Sequence, residues 1–212
     1  MHVIKFNSKH RQQHFDFFKK MNHPHFNVTV PVVITPLLPF LKSRQLPFTP
    51  AIVYLLARAA NEQAEFRWRI RGEEVVEHQL VHPSFSVNTD VADVFSFCTV
   101  PFQRKAKTFI ENAKKQMAAM RQNPSFSDEP GRDDYLFMSA FPWASFTSIQ
   151  HAMSYHPCDS VPRIVWGKYY EENGQIKMPV NVQAHHGLVD GRHLGIYFQL
   201  VENMMSELST IF

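Results

Sequence analysis

Apolar residues recur along this chain with two periods, and each period marks a different kind of element. Near the end, Leu194, Phe198, Val201, Met205, Leu208 and Phe212 follow at steps of four, three, four, three and four. That spacing lines one stripe of a helix. Ile52, Leu55, Leu56 and Ala59 do the same within Ala51 to Ala64, after a Thr49-Pro50 start signal in which Thr can cap and Pro suits the first helical position. Phe109, Ala113, Met117 and Met120 give an inward face to a basic amphipathic helix from about Lys105 to Arg121. Arg11 to Lys20 is helical too, with Phe15, Phe18, His14 and Phe17 on one face.

Elsewhere the period falls to two. In FRWRIRGEEVVEH, Phe66, Trp68 and Ile70 alternate with Arg67, Arg69 and Arg71, which predicts a hairpin turning at Gly72 with one apolar and one wet face. Val28 to Thr35 reads as a strand, and the Pro-broken VTVPVVITPLLPFL as a buried strand running into a turn. Strands are expected near Ser84–Asn88, Val94–Val100 and Phe137–Phe146, with a loop from Asn123 to Asp134. Val161–Tyr170 and Gln175–His185 form two more, joined through Asn173-Gly174, a hairpin-turn pair. The order predicts an α+β protein: a mainly antiparallel sheet with helices packed on it. With no repeat, linker or low-complexity tract, residues 1–212 are expected to form a single domain.

Composition narrows the function. Net charge is only +3 without the 12 histidines, and no long Lys/Arg tract occurs, so nucleic acid is not expected as a partner. The N-terminus lacks an apolar signal core, and the longest apolar run is too short and Pro-broken to span a bilayer. Two cysteines, Cys98 and Cys158, make no disulfide framework. A cytoplasmic protein without membrane attachment is the expectation.

The richest stretch is VQAHHGLVDGRHLG, Val182 to Gly195. On a strand, Val180, Val182 and Ala184 share one face and Asn181, Gln183 and His185 the other, so His185 and His186 point apart. That weakens a metal site, although His186, Asp190 and His193 can converge in a turn. An Asp before a periodic helix is also a natural cap. The third reading makes His186 a general base, since a neutral imidazole is available near neutral pH.

HHGLVDGRH resembles the active-site signature of the chloramphenicol acetyltransferase family. RQQHFDFF, FTPAIVYLLARAANEQAEFRWRI, GEEVVEHQLVHPSFSV, SAFPWASFTS and KYYEENGQIKMPVNVQ resemble family segments in the same order and spacing, over almost the whole chain. The resemblance implies a two-layer α/β sandwich and a homotrimer with active sites between subunits. It implies direct acetyl transfer from acetyl-CoA to a hydroxyl of a small molecule such as chloramphenicol, without a metal. His186 falls at the base and Ser139 at the serine that hydrogen-bonds the oxyanion. Asp190 and Arg11 fall at a pair that holds the loop. Lys168 and Tyr169 fall beside the CoA channel; Phe17, Phe18, Phe95, Ile149 and His151 fall at the acceptor pocket. Val165 stands where better-known members carry a threonine that helps hydrate the tetrahedral intermediate, Arg192 replaces an aromatic, and His151 makes the pocket wall more polar. These departures keep open a non-catalytic trimeric ligand-binding protein on the same fold. A lipoyl-dependent acyltransferase core ranks lower, because no lipoyl-bearing segment or Ala/Pro linker is present.

Overall fold

The structure is a computed structural model that describes residues 1–127 and 129–212. Its centre is a mixed sheet in the order β2 (His25–Val33), β10 (Gln175–His185), β8 (Arg163–Gly167), β7 (Tyr135–Phe141), β5 (His82–Asn88) and β6 (Phe95–Thr99). The β5–β7 and β7–β8 pairs are parallel; β2–β10, β10–β8 and β5–β6 are antiparallel. A smaller antiparallel sheet joins β1 (His2–Ile4), β4 (Glu74–Glu77) and β3 (Trp68–Arg71). The helices that pack on the large sheet are α3 (Phe48–Asn61), α4 (Ala106–Gln122) and α5 (Gly191–Ser206).

The alternation along β10 decides the layers. Val180, Val182 and Ala184 join α3 and α5 in the apolar core. On α3 nearly every side chain is buried, and Ile52, Leu55 and Leu56 are fully enclosed. The opposite face of β10 is also buried but polar: Asn181, Gln183 and His185 are each at most 2% exposed. The loop between β7 and β8 covers that face, with His151 N–H donating to Gln183 Oε1 at 3.0 Å.

Several elements differ from the sequence pattern for identifiable reasons. Leu37–Arg44 is a helix, α2, within the run read as strand and turn. Pro39 sits in its first turn, where a missing N–H costs nothing. The next helix starts at Phe48, so Thr49 lies inside its first turn and does not cap it. The C-terminal stripe is shared by α5 and a short α6 (Leu208–Ile211), broken near Glu207. Strand pairing also divides the Val161–Tyr170 segment. Residues 163–167 pair with the middle of β10, while β9 (Tyr170–Glu172) makes the tight hairpin, with Asn173 and Gly174 at φ 53° and 73°. Both turn residues need the left-handed region, which Asn and Gly tolerate.

Arg69 departs furthest from expectation. Placed on a wet face by alternation, it is fully buried. Its guanidinium donates to the carbonyls of Asp133 at 2.7 Å, Phe66 at 2.9 Å and Trp68 at 2.6 Å, and to that of Tyr135. The small sheet is thereby pinned to the start of β7. Burial lowers the Arg69 pKa to about 10, which still leaves it charged at neutral pH. Replacing it by Met strands these acceptors, so Arg69→Met is expected to cost about 3 kcal/mol in urea unfolding. A loss below about 1 kcal/mol would mean that the carbonyls find other donors.

Candidate active site

The strand-to-helix turn after β10 presents His186. Its N–H donates to the carbonyl of Pro24 at 2.8 Å, while Leu188 and Val189 N–H groups close onto the His185 carbonyl at 2.9 and 3.0 Å. Leu188 and Val189 are buried, so the turn is anchored by apolar contact as well. Gly187 leaves space for its neighbours: a Cβ there would lie 3.0 Å from His185 Cε1 and 3.3 Å from Phe15 Cδ2. The His186 ring is sandwiched between Phe18 and Phe26, with centroids at 4.0 and 4.3 Å and interplanar angles of 22° and 25°. His14 meets it edge-on at 5.5 Å.

Arg11 holds this turn, but not through Asp190. Its two terminal nitrogens donate to Gly187 O at 2.8 Å and Leu188 O at 2.6 Å, and one also reaches His14 Nδ1 at 2.8 Å. No Arg11–Asp190 ion pair forms; the expected pairing is replaced by charge-assisted bonds to backbone carbonyls. Asp190 instead caps α5, accepting from Gly191 N–H at 2.7 Å, with its other near contact to His186 Nδ1 at 3.8 Å. Burial pushes the Asp190 carboxyl up, but the Gly191 N–H and nearby histidines outweigh it and hold the group below its ordinary value. His193 completes the cap through Asp190 N–H at 2.9 Å and approaches Glu65 at 3.5 Å, so it does not converge with His186. Arg192 is exposed on the first turn of α5.

A second group of residues gathers around Ser139 on β7. Its Oγ lies 2.9 Å from Ser86 Oγ, and Ala140 N–H donates to Ser86 Oγ at 3.4 Å. A cavity of about 530 Å³ opens over Ser139, lined also by Phe95, Phe97, Phe137, His151, Asp159 and Arg163. A cavity of about 270 Å³ is lined by Lys168, Tyr169, Phe48 and Trp166. Ser86 lines both. Val165 is buried directly opposite Ser139 across the β7–β8 pairing. Ile149 is half-buried in the covering loop, outside the wall of the larger cavity. Phe17 is 61% exposed and packs edge-on against Phe18, away from the residues around Ser139. Ser86 was missed in the sequence. The alternation in Ser84–Asn88 puts it on a polar strand face, but nothing local says that a second serine faces it.

Within one chain the two groups lie apart. Ser139 pairs with Val165, and Val165 with Asn181, five residues before His186. Strand geometry then separates Ser139 from His186 by about 16 Å along the strands and about 10 Å across them. Around β10, His25 Nδ1, His151 Nε2, Asn181 Oδ1, Gln183 Nε2 and His185 Nε2 are buried without a hydrogen-bond partner among the described residues.

Known proteins share this fold and part of this sequence. An Azotobacter vinelandii dihydrolipoamide acetyltransferase superposes with a TM-score of 0.70 at 15% identity, over 99% of this chain and 94% of that one. At that identity the likeness establishes the fold. A solved chloramphenicol acetyltransferase superposes with a TM-score of 0.85 at 25% identity, over 96% of this chain and 99% of its own. In sequence, a chloramphenicol acetyltransferase from Klebsiella is 30% identical over 186 residues, 88% of this chain and 85% of that protein. Chloramphenicol acetyltransferase 3 from Escherichia coli is 27% identical over 96% of this chain and 97% of its own length. The class is acyltransferase. The family model described as chloramphenicol acetyltransferase matches residues 1–202, and the chain belongs to that family. Among the described residues, no helix is long and apolar enough to cross a membrane.

The buried histidines on the polar sheet face give a pH prediction. Burial lowers His185 to about 4, helped by His25 and His186, and lowers His151 to about 4, helped by Arg163. Both are neutral in the folded chain, while unfolded histidines titrate near ~6.5. Between those values the unfolded state binds more protons, so stability falls as pH falls from about 6.5 to 4, by roughly 2–3 kcal/mol for each histidine. Urea unfolding of wild type and His185→Gln across this window measures it. Equal slopes in the two proteins would remove His185 from the account.

Proposed function

We propose that the protein transfers an acetyl group from acetyl-CoA to a hydroxyl of a small acceptor, chloramphenicol or a related alcohol, by direct attack. The observation that carries this reading is that Ser86 lines two cavities, one beside Lys168 and Tyr169, the other over Ser139. A thioester arm entering past Tyr169 brings its carbonyl toward Ser139, with the acceptor in the larger cavity. Phe95 and the neighbouring aromatics give that acceptor an apolar wall, and His151 a polar one.

The base comes from a second copy in this proposal. His186 is too far from Ser139 of its own chain to act on the same carbonyl. A homotrimer with each site shared by two protomers removes that difficulty. His186 Nε2 takes the hydroxyl proton as the acceptor oxygen bonds to the carbonyl carbon. Ser139 O–H donates to the resulting oxyanion. The C–S bond then breaks, and the protonated imidazole returns its proton to the thiolate.

Ser86 sets the direction of the Ser139 proton. Ser86 Oγ accepts from Ala140 N–H at 3.4 Å, and in this proposal it gives its own proton to Ser139 Oγ. Ser139 O–H is then free for the oxyanion.

Acetyl-CoA with chloramphenicol, followed by release of free thiol and by formation of the acetylated product, tests the assignment. His186→Ala is expected to lower kcat at least about 10³-fold; equal rates in the two proteins would overturn the role of His186. Co-expression of His186→Ala with Ser139→Ala chains is expected to restore part of the activity, because mixed trimers rebuild some intact sites; no recovery in mixed trimers argues against a shared site.

Removal of one oxyanion donor in Ser139→Ala is expected to cost about 10²-fold in kcat with little change in KM. Ser86→Ala is expected to cost about tenfold, and Ser86→Thr to restore it. A Ser86→Ala enzyme with wild-type kcat removes the orienting role.

A further inference from the structure

The geometry around His186 points to a regulatory use of the same turn: we propose that His14, His186 and Asp190 bind a divalent transition cation of the zinc class, and that the bound ion switches off transfer. One donor atom from each of the three residues lies within 4.8 Å of the other two. His186 Nδ1 is buried and has no hydrogen-bond partner among the described residues. The Asp190 carboxylate stands 3.8 Å from it, too far for a hydrogen bond but inside the span of two donors sharing one ion. Zinc bonds to His N and carboxylate O are about 2.0–2.2 Å long, so two donors on one ion can stand up to about 4 Å apart. Two imidazoles and a carboxylate make a donor set suited to zinc.

Binding has identifiable costs. His14 Nδ1 accepts from Arg11 at 2.8 Å, so an ion on that nitrogen displaces one hydrogen bond. Arg11 keeps its bonds to Gly187 O and Leu188 O, and the turn stays anchored. His14 is drawn in by a modest side-chain movement, and Asp190 is half exposed and free to reorient. The Arg11 charge weakens the site, while Asp190 and Glu65 offset it. The affinity is therefore modest, in keeping with a reversible ligand and unlike a permanent structural metal.

The consequence follows from the two nitrogens of one ring. Taking a proton at Nε2 requires Nδ1 to carry the ring hydrogen. An ion on Nδ1 removes that hydrogen, and a neutral ring must then be protonated at Nε2. The base is held in the tautomer that cannot accept. Inhibition needs no blockage of either cavity.

This proposal rests on the functional reading only for its inhibitory consequence, because the binding site itself is tested without turnover. Chain dialysed against chelator is titrated with Co²⁺, and the visible band of a four-coordinate ion is followed, with Zn²⁺ as competitor. One Co²⁺ per chain is expected, displaced by Zn²⁺. His14→Ala, Asp190→Asn and His186→Ala are each expected to weaken binding at least about tenfold, with His151→Ala unchanged. Circular dichroism confirms that each variant is folded, and His14→Gln replaces any that is not. A band of undiminished affinity in all three variants, or no band in wild type, overturns the site.

Product formation is measured in parallel with and without Zn²⁺. Wild type is expected to lose activity reversibly on Zn²⁺ addition, and His14→Ala to lose a smaller fraction of its own rate. Binding without inhibition overturns the tautomer lock while leaving the site. Binding by a chain that acetylates none of the alcohols tried refutes the transferase reading alone.

Discussion

The reach of one guanidinium across 176 residues of sequence governs this molecule's chemistry. Arg11 lies on the first helix and donates to two consecutive carbonyls of the turn that follows the last strand. Such a turn has few intrinsic constraints, since its carbonyls lie beyond the sheet ladder and before the helix. Charge-assisted bonds to both carbonyls, with Leu188 and Val189 buried beneath, remove most of that freedom. The imidazole of His186 can then sit between two phenylalanines, where its rings are aligned by packing. Asp190, released from pairing with Arg11, serves the helix behind the turn and remains available to the neighbouring histidines.

The polar side of the large sheet has a different physical character. Buried amides and imidazoles without partners destabilise a fold, typically by about 1–3 kcal/mol each. They concentrate around β10 beneath the loop between β7 and β8, enclosed by the chain's own residues. Acid acts on the same surface, because protonating His185 or His151 puts charge where no solvent can relieve it.

The hydroxyl pair and the histidine cluster share one trait: proton placement matters in both. Ser86 Oγ lies 2.9 Å from Ser139 Oγ and also accepts from Ala140 N–H. On the proposed reading, His186 acts as a base only when Nδ1 carries its ring hydrogen.

The periodicities of the chain were enough to locate the helices after Pro47 and Lys105, the β3–β4 and β9–β10 hairpins and the C-terminal helix, because burial of one face is written into local spacing. The turn that carries His186 and the strand that carries Ser139 were legible as local structure for the same reason: their residue types and order are local. Arg69 was misread because alternation assigns a face but not what lies on it; a wall of carbonyls from distant segments can bury an arginine as readily as water solvates one. Arg11 was legible as a support, but its partner was not, since backbone carbonyls leave no signature in a sequence. The pairing of Ser86 with Ser139, the place of Ser86 in the walls of two cavities and the distance from Ser139 to His186 belong to tertiary structure alone. They depend on strand order and register, which bring residues 53 positions apart into contact and hold two halves of a site at opposite ends of one sheet.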